Sequence, residues 1–260
     1  MGMLDGKVAL VSGIGPGMGR DISLALAEHG ADVVLGARSE KRMGKVATEV
    51  EALGRRAVCV PCDITSRDDC DRIVTAAKDE LGRLDILVNN AFHGGNDATF
   101  EDSDLAEWRT TMDINLFGTL DLTQAALPVL KEQEDSRIVM INTMSVQHIE
   151  ARYGAYAASK AALATATKTL ARELGQYGVR INSIHPGYIW GRSVEWYFGW
   201  LAEQRGITAE EVYAEIASET CLGYLPHSSE IAGTVVYLAS PLSKPVTGQT
   251  INVNCGHWIQ

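Results

Sequence analysis

Val8-Ala9-Leu10-Val11-Ser12-Gly13-Ile14-Gly15-Pro16-Gly17-Met18-Gly19 stands almost at the start of the chain and sets its fold class. Residues 8–11 are all apolar, with no polar alternation, which is the pattern of a strand covered on both faces. A glycine-rich turn follows directly, and beyond it Ile22, Ala25 and Leu26 fall at helical spacing. Strand, tight turn and helix form a unit in which glycines let main-chain N–H groups approach an anion. The helix N-terminus, with its partial positive charge, favours a pyrophosphate there. Gly13, Gly17, Met18 and Gly19 are the candidate contacts.

The same rhythm continues through the chain. Further Val-, Ile- and Leu-rich runs fall at residues 33–35, 57–60, 86–88, 138–141, 181–184 and 250–253. Helical spacing fills the gaps, as at Ile73, Ala76, Ala77 and Leu81. Alternation of strand and crossover helix predicts an α/β fold, a doubly wound parallel sheet of about seven strands with helices on both faces. No linker, repeat or charge block interrupts it, so residues 1–260 read as a single domain. Residues 190–226 break the alternation. Trp190, Trp196, Tyr197, Phe198 and Trp200 crowd aromatic rings into that insertion, where they either roof a pocket or serve a subunit contact or local core.

Composition narrows the function. The 260 residues carry 33 acidic and 23 basic side chains, a formal charge of −10, and are 46% hydrophobic. Nucleic acid and anionic lipid are poor partners for such a balance, because both demand clustered Lys and Arg. No eighteen-residue apolar run points to a membrane span. Met1 to Lys7 lacks the basic and apolar regions of an export leader, and Gly6 stands where an N-myristoylation motif wants Ser or Thr. Cys59, Cys62, Cys70, Cys221 and Cys255 are too scattered for a disulfide scaffold. In Cys59-Val60-Pro61-Cys62, strand alternation turns the thiols to opposite faces. A reducing, cytoplasmic setting is expected, and the acidic residues and histidines show no metal-site spacing.

Later motifs fall in a fixed order. Asp63 and Ile64 follow the third strand; Asp85-Ile86-Leu87-Val88-Asn89-Asn90-Ala91 spans the fourth. Asn115 lies in a helix, Tyr156-Ala157-Ala158-Ser159-Lys160 in another, and Pro186-Gly187 closes the sixth strand. From about Leu4 to Gly256 the chain resembles the short-chain dehydrogenase/reductase family. That resemblance implies a Rossmann-like fold and an enzyme moving a hydride between a nicotinamide dinucleotide and a small-molecule secondary alcohol or ketone. It also implies Asp63 against adenine, with Asn90, Ala91, Pro186 and Gly187 in the cofactor site. A homotetramer is implied, built on helices near 108–130 and 153–177 and on the last strand.

Tyr156 and Lys160 also make chemical sense unaided. Four residues apart, they share a helix face. A phenol ordinarily titrates near pH 10, too high for efficient proton exchange at neutrality. An ammonium about 4.5 Å away at an effective dielectric of 20 contributes roughly 3.7 kcal/mol, enough to lower that value by about 2.7 units. By resemblance, Tyr156 is the general acid/base, Lys160 lowers its pKa and holds the nicotinamide ribose, and Asn115 anchors a proton-relaying water.

Two positions depart from the family pattern. Its serine, thirteen residues before the tyrosine, is replaced by Thr143, with Ser145 two residues on. A threonine hydroxyl makes the same hydrogen bond but crowds the substrate. Thr143 is the first choice, and Ser145 the substitute if the strand end bends. Trp190 stands where a carboxamide-binding Thr is usual, which shifts that task to the backbone of Ile189. The aromatic insertion points to a bulky apolar substrate. A non-catalytic nucleotide-binding or scaffold protein is the competing reading.

The second strand ends Gly36-Ala37-Arg38-Ser39. An NAD-selective site wants a carboxylate about twenty residues beyond the glycines, and Ala37 is there instead. Arg38 can pair with a 2′-phosphate, with Ser39 adding a hydroxyl, so NADP(H) is expected, with NAD(H) the alternative.

Overall fold

The computed structural model describes residues 2–259; Met1 and Gln260, which fall within the expected domain span, lie outside the described residues. Seven strands form one parallel sheet: β1 (Val8–Ser12), β2 (Asp32–Ala37), β3 (Ala57–Pro61), β4 (Ile86–Asn89), β5 (Ser136–Ile141), β6 (Val179–Pro186) and β7 (Thr250–Val253). Their spatial order is β3-β2-β1-β4-β5-β6-β7, so the chain turns from one half of the sheet to the other between β1 and β4. A crevice opens there, at the carboxyl ends of the strands, where doubly wound sheets bind ligands.

The burial of the strands explains their composition, with two exceptions. β1, β4, β5 and β6 are buried along their whole length, and β2 up to its last residue. β3 and β7 are the sheet edges and stay partly exposed. The expectation that every apolar run is covered on both faces therefore fails at these two. An edge strand has a neighbour on one side only, and nothing in a four- or five-residue run marks it as an edge.

Helices cover both faces. α1 (Met18–Glu28), α2 (Glu40–Ala52) and α9 (Ser228–Ala239) bury one apolar layer with Val11, Val33, Ile86 and Ile184. On the opposite face α3 (Arg67–Leu81), α5 (Thr119–Leu130) and α6 (Gly154–Leu174) pack on Leu10, Leu87, Ile138 and Ile181. α4 (Leu105–Met112) runs into α5 through a π-helical turn, Asp113–Gly118, which carries Asn115. Such turns shift the helical register locally and concentrate at functional sites.

The insertion at residues 190–226 holds α7 (Arg192–Arg205) and α8 (Ala209–Ser218). Some of its rings form a local core. Phe198 is fully buried with Ala202, Val212 and Leu225, and Trp190 packs 4.6 Å from Tyr213 between ring centroids, so these two form a private core. Tyr197 stacks on Tyr188 at 6.5 Å, while Trp196 is 73% exposed. No helix among the described residues is long and apolar enough to cross a membrane.

Candidate active site

The glycine turn is locked to β4 by side chains at the switch point. Ser12 Oγ accepts from the Asn90 and Ala91 N–H groups, and Asn90 Nδ2 donates to the Ser12 and Gly13 carbonyls at 3.2 and 2.8 Å. Gly13 sits at φ +81°, and a Cβ there would meet the Ala91 backbone at 2.5 Å. A Cβ on Gly19 would strike the Gly13 carbonyl at 2.4 Å. Both glycines are thus required by close backbone approach.

In front of Gly15 and Gly17 there is only open space, and α1 begins at Gly17 without a side-chain cap. By contrast α3, α4 and α8 are capped by Ser66, Asp104 and Thr208. An uncapped helix facing a glycine-lined hollow leaves main-chain N–H groups for an anion. Along the crevice, Asp63 Oδ1 accepts from Thr65 N and Oγ1 at 3.0 and 2.8 Å, while Oδ2 makes no hydrogen bond among the described residues. Ile64 is buried beside it. At the end of β2, Arg38 is exposed and makes no ion pair among the described residues, and Ser39 begins α2 with its hydroxyl uncommitted as a cap. The donor set fits a dinucleotide: N–H groups for the pyrophosphate, a free carboxylate oxygen for adenine, a free guanidinium at the ribose end.

On the other flank the proposed reacting groups converge. β5 ends at Ile141, and Thr143 opens a short 3₁₀ turn, Met144–Val146, so strand alternation no longer applies. The turn brings both candidate hydroxyls together: Thr143 Oγ1 donates to Ser145 Oγ at 3.1 Å and accepts from Ser145 N at 3.2 Å. Thr143 also stands beside the Tyr156 phenol, where turning its one hydroxyl proton from Ser145 to the ring oxygen favours the ionised ring. Tyr156 and Lys160 share one face of α6, with Lys160 Nζ 6.0 Å from the Tyr156 ring centroid. Phe92 packs edge-on against that ring at 6.3 Å.

Electrostatics differ from the expectation. Burial pushes the Tyr156 phenol up to about 12, outweighing the opposing hydrogen bond from Thr143. Burial likewise holds Lys160 down to about 8. The ammonium donates to the Ile141 carbonyl at 2.8 Å and makes no ion pair among the described residues. Desolvation, which penalises every charged form, therefore dominates at both groups.

Asn115 is fully buried, and its amide is bonded within the chain at both ends. Oδ1 accepts from His93 N at 2.7 Å, and Nδ2 donates to the His93 carbonyl at 2.8 Å and to Ser159 Oγ at 2.9 Å. Ser159 Oγ in turn donates to the Tyr156 carbonyl at 2.7 Å. Both Nδ2 protons are used, while Oδ1 accepts one bond and keeps a second acceptor position. These bonds tie the loop after β4 to the turn of α6 that carries Tyr156. His93 and Ser159 were missed from sequence because no spacing rule links residues 93, 115 and 159.

After β6, a Cβ on Gly187 would come within 2.9 Å of Asn254 Cβ, so Pro186-Gly187 closes tightly against the segment following β7. Ile189 packs on the α1/α9 layer, and Trp190 N donates to the Pro226 carbonyl at 2.8 Å, tethering the insertion at its base. A cavity of about 510 Å³ adjoins this closure, lined by Pro226, Asn254, Cys221, Tyr224, Glu230 and Asn252 among others.

The family model described as enoyl-(acyl carrier protein) reductase matches residues 13–257. The 7alpha-hydroxysteroid dehydrogenase of Escherichia coli (strain K12) is 30% identical over 253 residues, 97% of this chain and 94% of that protein. Among solved structures, carveol dehydrogenase from Mycobacterium avium in complex with NAD superposes with a TM-score of 0.92 at 25% identity, covering 99% of both chains. A variant of actinorhodin polyketide ketoreductase with NADPH gives 0.90 at 29% identity, covering 98% of both. With the glycine cradle, the Tyr156-Lys160 helix and these likenesses in agreement, the chain belongs to the short-chain dehydrogenase/reductase family of NAD(P)-dependent oxidoreductases.

Proposed function

We propose that the protein interconverts a secondary alcohol and its ketone, with Tyr156 as general acid/base, Thr143 as hydrogen-bond donor to the substrate oxygen and Lys160 as the cation that governs the phenol's proton. The observation that carries this reading is the convergence of the Thr143 hydroxyl, the Tyr156 phenol and the buried Lys160 beside an open glycine cradle. A bound nicotinamide supplies or accepts the hydride at its C4. Gly13, Gly17, Met18 and Gly19 would hold its pyrophosphate, Asp63 and Ile64 its adenine, and Asn90, Ala91, Pro186, Gly187 and the Ile189 backbone its nicotinamide half. Tyr156 and Lys160 would also hold the ribose. Asn115 acts as a positioning residue through Ser159, and the remaining acceptor position of its Oδ1 would anchor the proton-relaying water that the resemblance implies.

Thr143 is preferred over Ser145 because it faces the phenol directly, whereas Ser145 Oγ accepts from Thr143. Thr143→Ala is expected to lower kcat about a hundredfold, the size of one lost donor to a developing oxyanion. Ser145→Ala should cost less than about tenfold. Steady-state kinetics of the two variants check this, and a reversed order overturns the assignment.

NADP(H) is the proposed cofactor. Arg38 is unpaired beside the open start of α2 and Ala37 contributes no carboxylate, although the solved relatives named above hold NAD in one case and NADPH in the other. Removing a guanidinium from a phosphate contact costs about 1.5–3 kcal/mol. Arg38→Ala should therefore weaken NADPH binding at least about tenfold while leaving NADH nearly unchanged. Fluorescence titration measures both, and a wild-type protein binding NADH tenfold more tightly than NADPH overturns the preference.

A bulky apolar substrate fits the insertion at residues 190–226, read here as a lid within one domain, with Tyr188 and Tyr197 stacked at its inner edge. Relatives named for a hydroxysteroid, carveol and a polyketide are in keeping with it. Exposed Leu105, Phe117 and Tyr177 on the helices of the second face support a homotetramer. The five free cysteines support a cytoplasmic site of action. NADPH oxidation against a panel of alicyclic and aromatic ketones tests the activity.

A further inference from the structure

Glu150 is a carboxylate with too few partners. It lies half-buried between the Met144–Val146 turn and the start of α6. Its one hydrogen-bonding partner among the described residues is the Tyr188 hydroxyl, 3.4 Å from Oε1 and 3.3 Å from Oε2, long for a phenol meeting a carboxylate. An ionised carboxylate offers about four acceptor positions. No cation pairs with it among the described residues. Arg152, two residues on, is committed elsewhere: Nε donates to Asp97 Oδ1 at 2.6 Å and Nη2 to the Asp97 carbonyl at 2.9 Å. Arg152 holds φ +74°, one of two non-glycine residues at positive φ among the described residues, a conformation that persists only where the surroundings impose it. Asp97 and Arg152 cancel, and the negative charge of Glu150 is left over.

Aromatic rings surround that charge. Tyr188, directly after Pro186-Gly187, lies near-parallel to Tyr197 of α7, at 9° with centroids 6.5 Å apart, and Tyr197 continues to Trp200 at 6.1 Å and 20°. Tyr153 stands immediately before α6, three residues ahead of Tyr156. Burial first, with Glu150 among the charges that add to it, pushes the phenols of Tyr153, Tyr188 and Tyr197 up. They stay neutral at working pH, so each ring keeps a negative face. After burial, Tyr153 is in turn one of the groups that raise Tyr156, which sets these rings next to the reacting phenol. All three tyrosines are half-buried like Glu150, within reach of a ligand yet partly screened from water. A wholly apolar substrate lying over Glu150 would strip its water and return nothing. A cation answers the carboxylate and the ring faces together.

We propose that Glu150, Tyr153, Tyr188 and Tyr197 form a subsite for an organic cation, a quaternary or protonated amine, carried by a substrate whose apolar body presents its carbonyl or alcohol to Tyr156. The proposal rests on the activity and the bulky substrate inferred above, and narrows that substrate to one with a cationic head group. Arg152 acts as a positioning residue: by holding Asp97 it keeps its own charge away from Glu150.

The test has a binding arm and a turnover arm. Calorimetric titration of benzyltrimethylammonium chloride into the dinucleotide-bound protein at low salt should show saturable binding, weakened at least about tenfold in Glu150→Gln. Should Glu150→Gln fail to fold, Tyr197→Leu replaces it, with an expected loss of about fivefold. In the turnover arm, para-acetylbenzyl(trimethyl)ammonium is compared with its neutral isostere, para-neopentylacetophenone. The wild-type protein should favour the charged ketone at least about tenfold in kcat/KM, and Glu150→Gln should lose that preference. A wild-type protein that does not bind the ammonium, or that binds it as tightly after Glu150→Gln, overturns the proposal, as does a wild-type preference for the neutral ketone. The two readings fail separately. Binding lost on Glu150→Gln with neither ketone reduced leaves the subsite standing without the activity; a reduced neutral ketone with the ammonium unbound leaves the activity standing without the subsite.

Discussion

Tyr156→Phe is expected to lower kcat at least about a thousandfold while binding of the dinucleotide changes by less than about threefold, because general acid/base catalysis typically contributes 10² to 10⁴ and the ring itself is retained. The ring packs edge-on against Phe92 and sits on a helix turn held by Ser159 and Asn115. Deleting one oxygen therefore leaves the scaffold in place. In the ligand-free chain the phenol lies near 12 and the ammonium near 8, so the pair releases its first proton around pH 8. That value belongs to the pair rather than to either residue. For the wild-type protein, kcat/KM for alcohol oxidation should rise with pH through about 8, since this parameter reports the free enzyme. Spectrophotometric assays of both proteins across pH 6–11 check the expectation. Turnover surviving in Tyr156→Phe would remove the phenol from the reaction altogether.

The parts of this molecule that the sequence discloses are those where a residue type answers a local demand. Gly13 and Gly19 stand where a Cβ cannot fit, and most of the Val- and Ile-rich runs stand where strands are covered on both faces, so the seven strands and their parallel, doubly wound arrangement are readable in advance. Strand ends are less so: β5 begins at Ser136-Arg137 and β6 extends to His185-Pro186, polar or irregular residues that burial and pairing recruit. Exposure of β3 and β7 depends on a neighbour strand being absent, which no local pattern records.

For the site, Tyr156, Lys160, Thr143 and Asn115 were all placed together as expected, yet their electrostatics were not. The sign of the phenol shift is a contest between attraction and desolvation, and only the second requires knowing what surrounds the hydroxyl. Likewise the bonds of Asn115 to His93 and Ser159 join residues far apart in sequence. The aromatic insertion shows the same limit. Hydrophobic rings at residues 190–200 are equally suited to a pocket roof and to a small core, and Phe198 and Trp190 took the second course.

Lys160→Met should abolish turnover to a similar degree and, in the same variant, make the ligand-free protein more stable at neutral pH. Lys160 is 3% exposed, makes no ion pair among the described residues, and is held by burial down to about 8 from its ordinary 10.5. At 1.36 kcal/mol per unit, carrying that charge into the fold costs on the order of 3 kcal/mol. Methionine matches the apolar stem and carries no charge, at the expense of the bond to the Ile141 carbonyl, worth about 1 kcal/mol. The net gain below pH 8 is about 1–2 kcal/mol, a rise in Tm of a few degrees, about 2–4 °C per kcal/mol for a chain this long. The sign with pH follows from linkage. Between pH 8 and 10.5 the unfolded lysine keeps a proton that the folded one has released, so wild-type stability climbs relative to the variant and the advantage of methionine disappears. Tyr156 is present in both proteins and does not affect the difference. Thermal unfolding of the two at pH 6.5 and pH 10.5 is the measurement. A variant equally destabilised at both values would mean that the lysine is solvated in the folded chain, and would leave the phenol without the desolvated cation on which its chemistry relies.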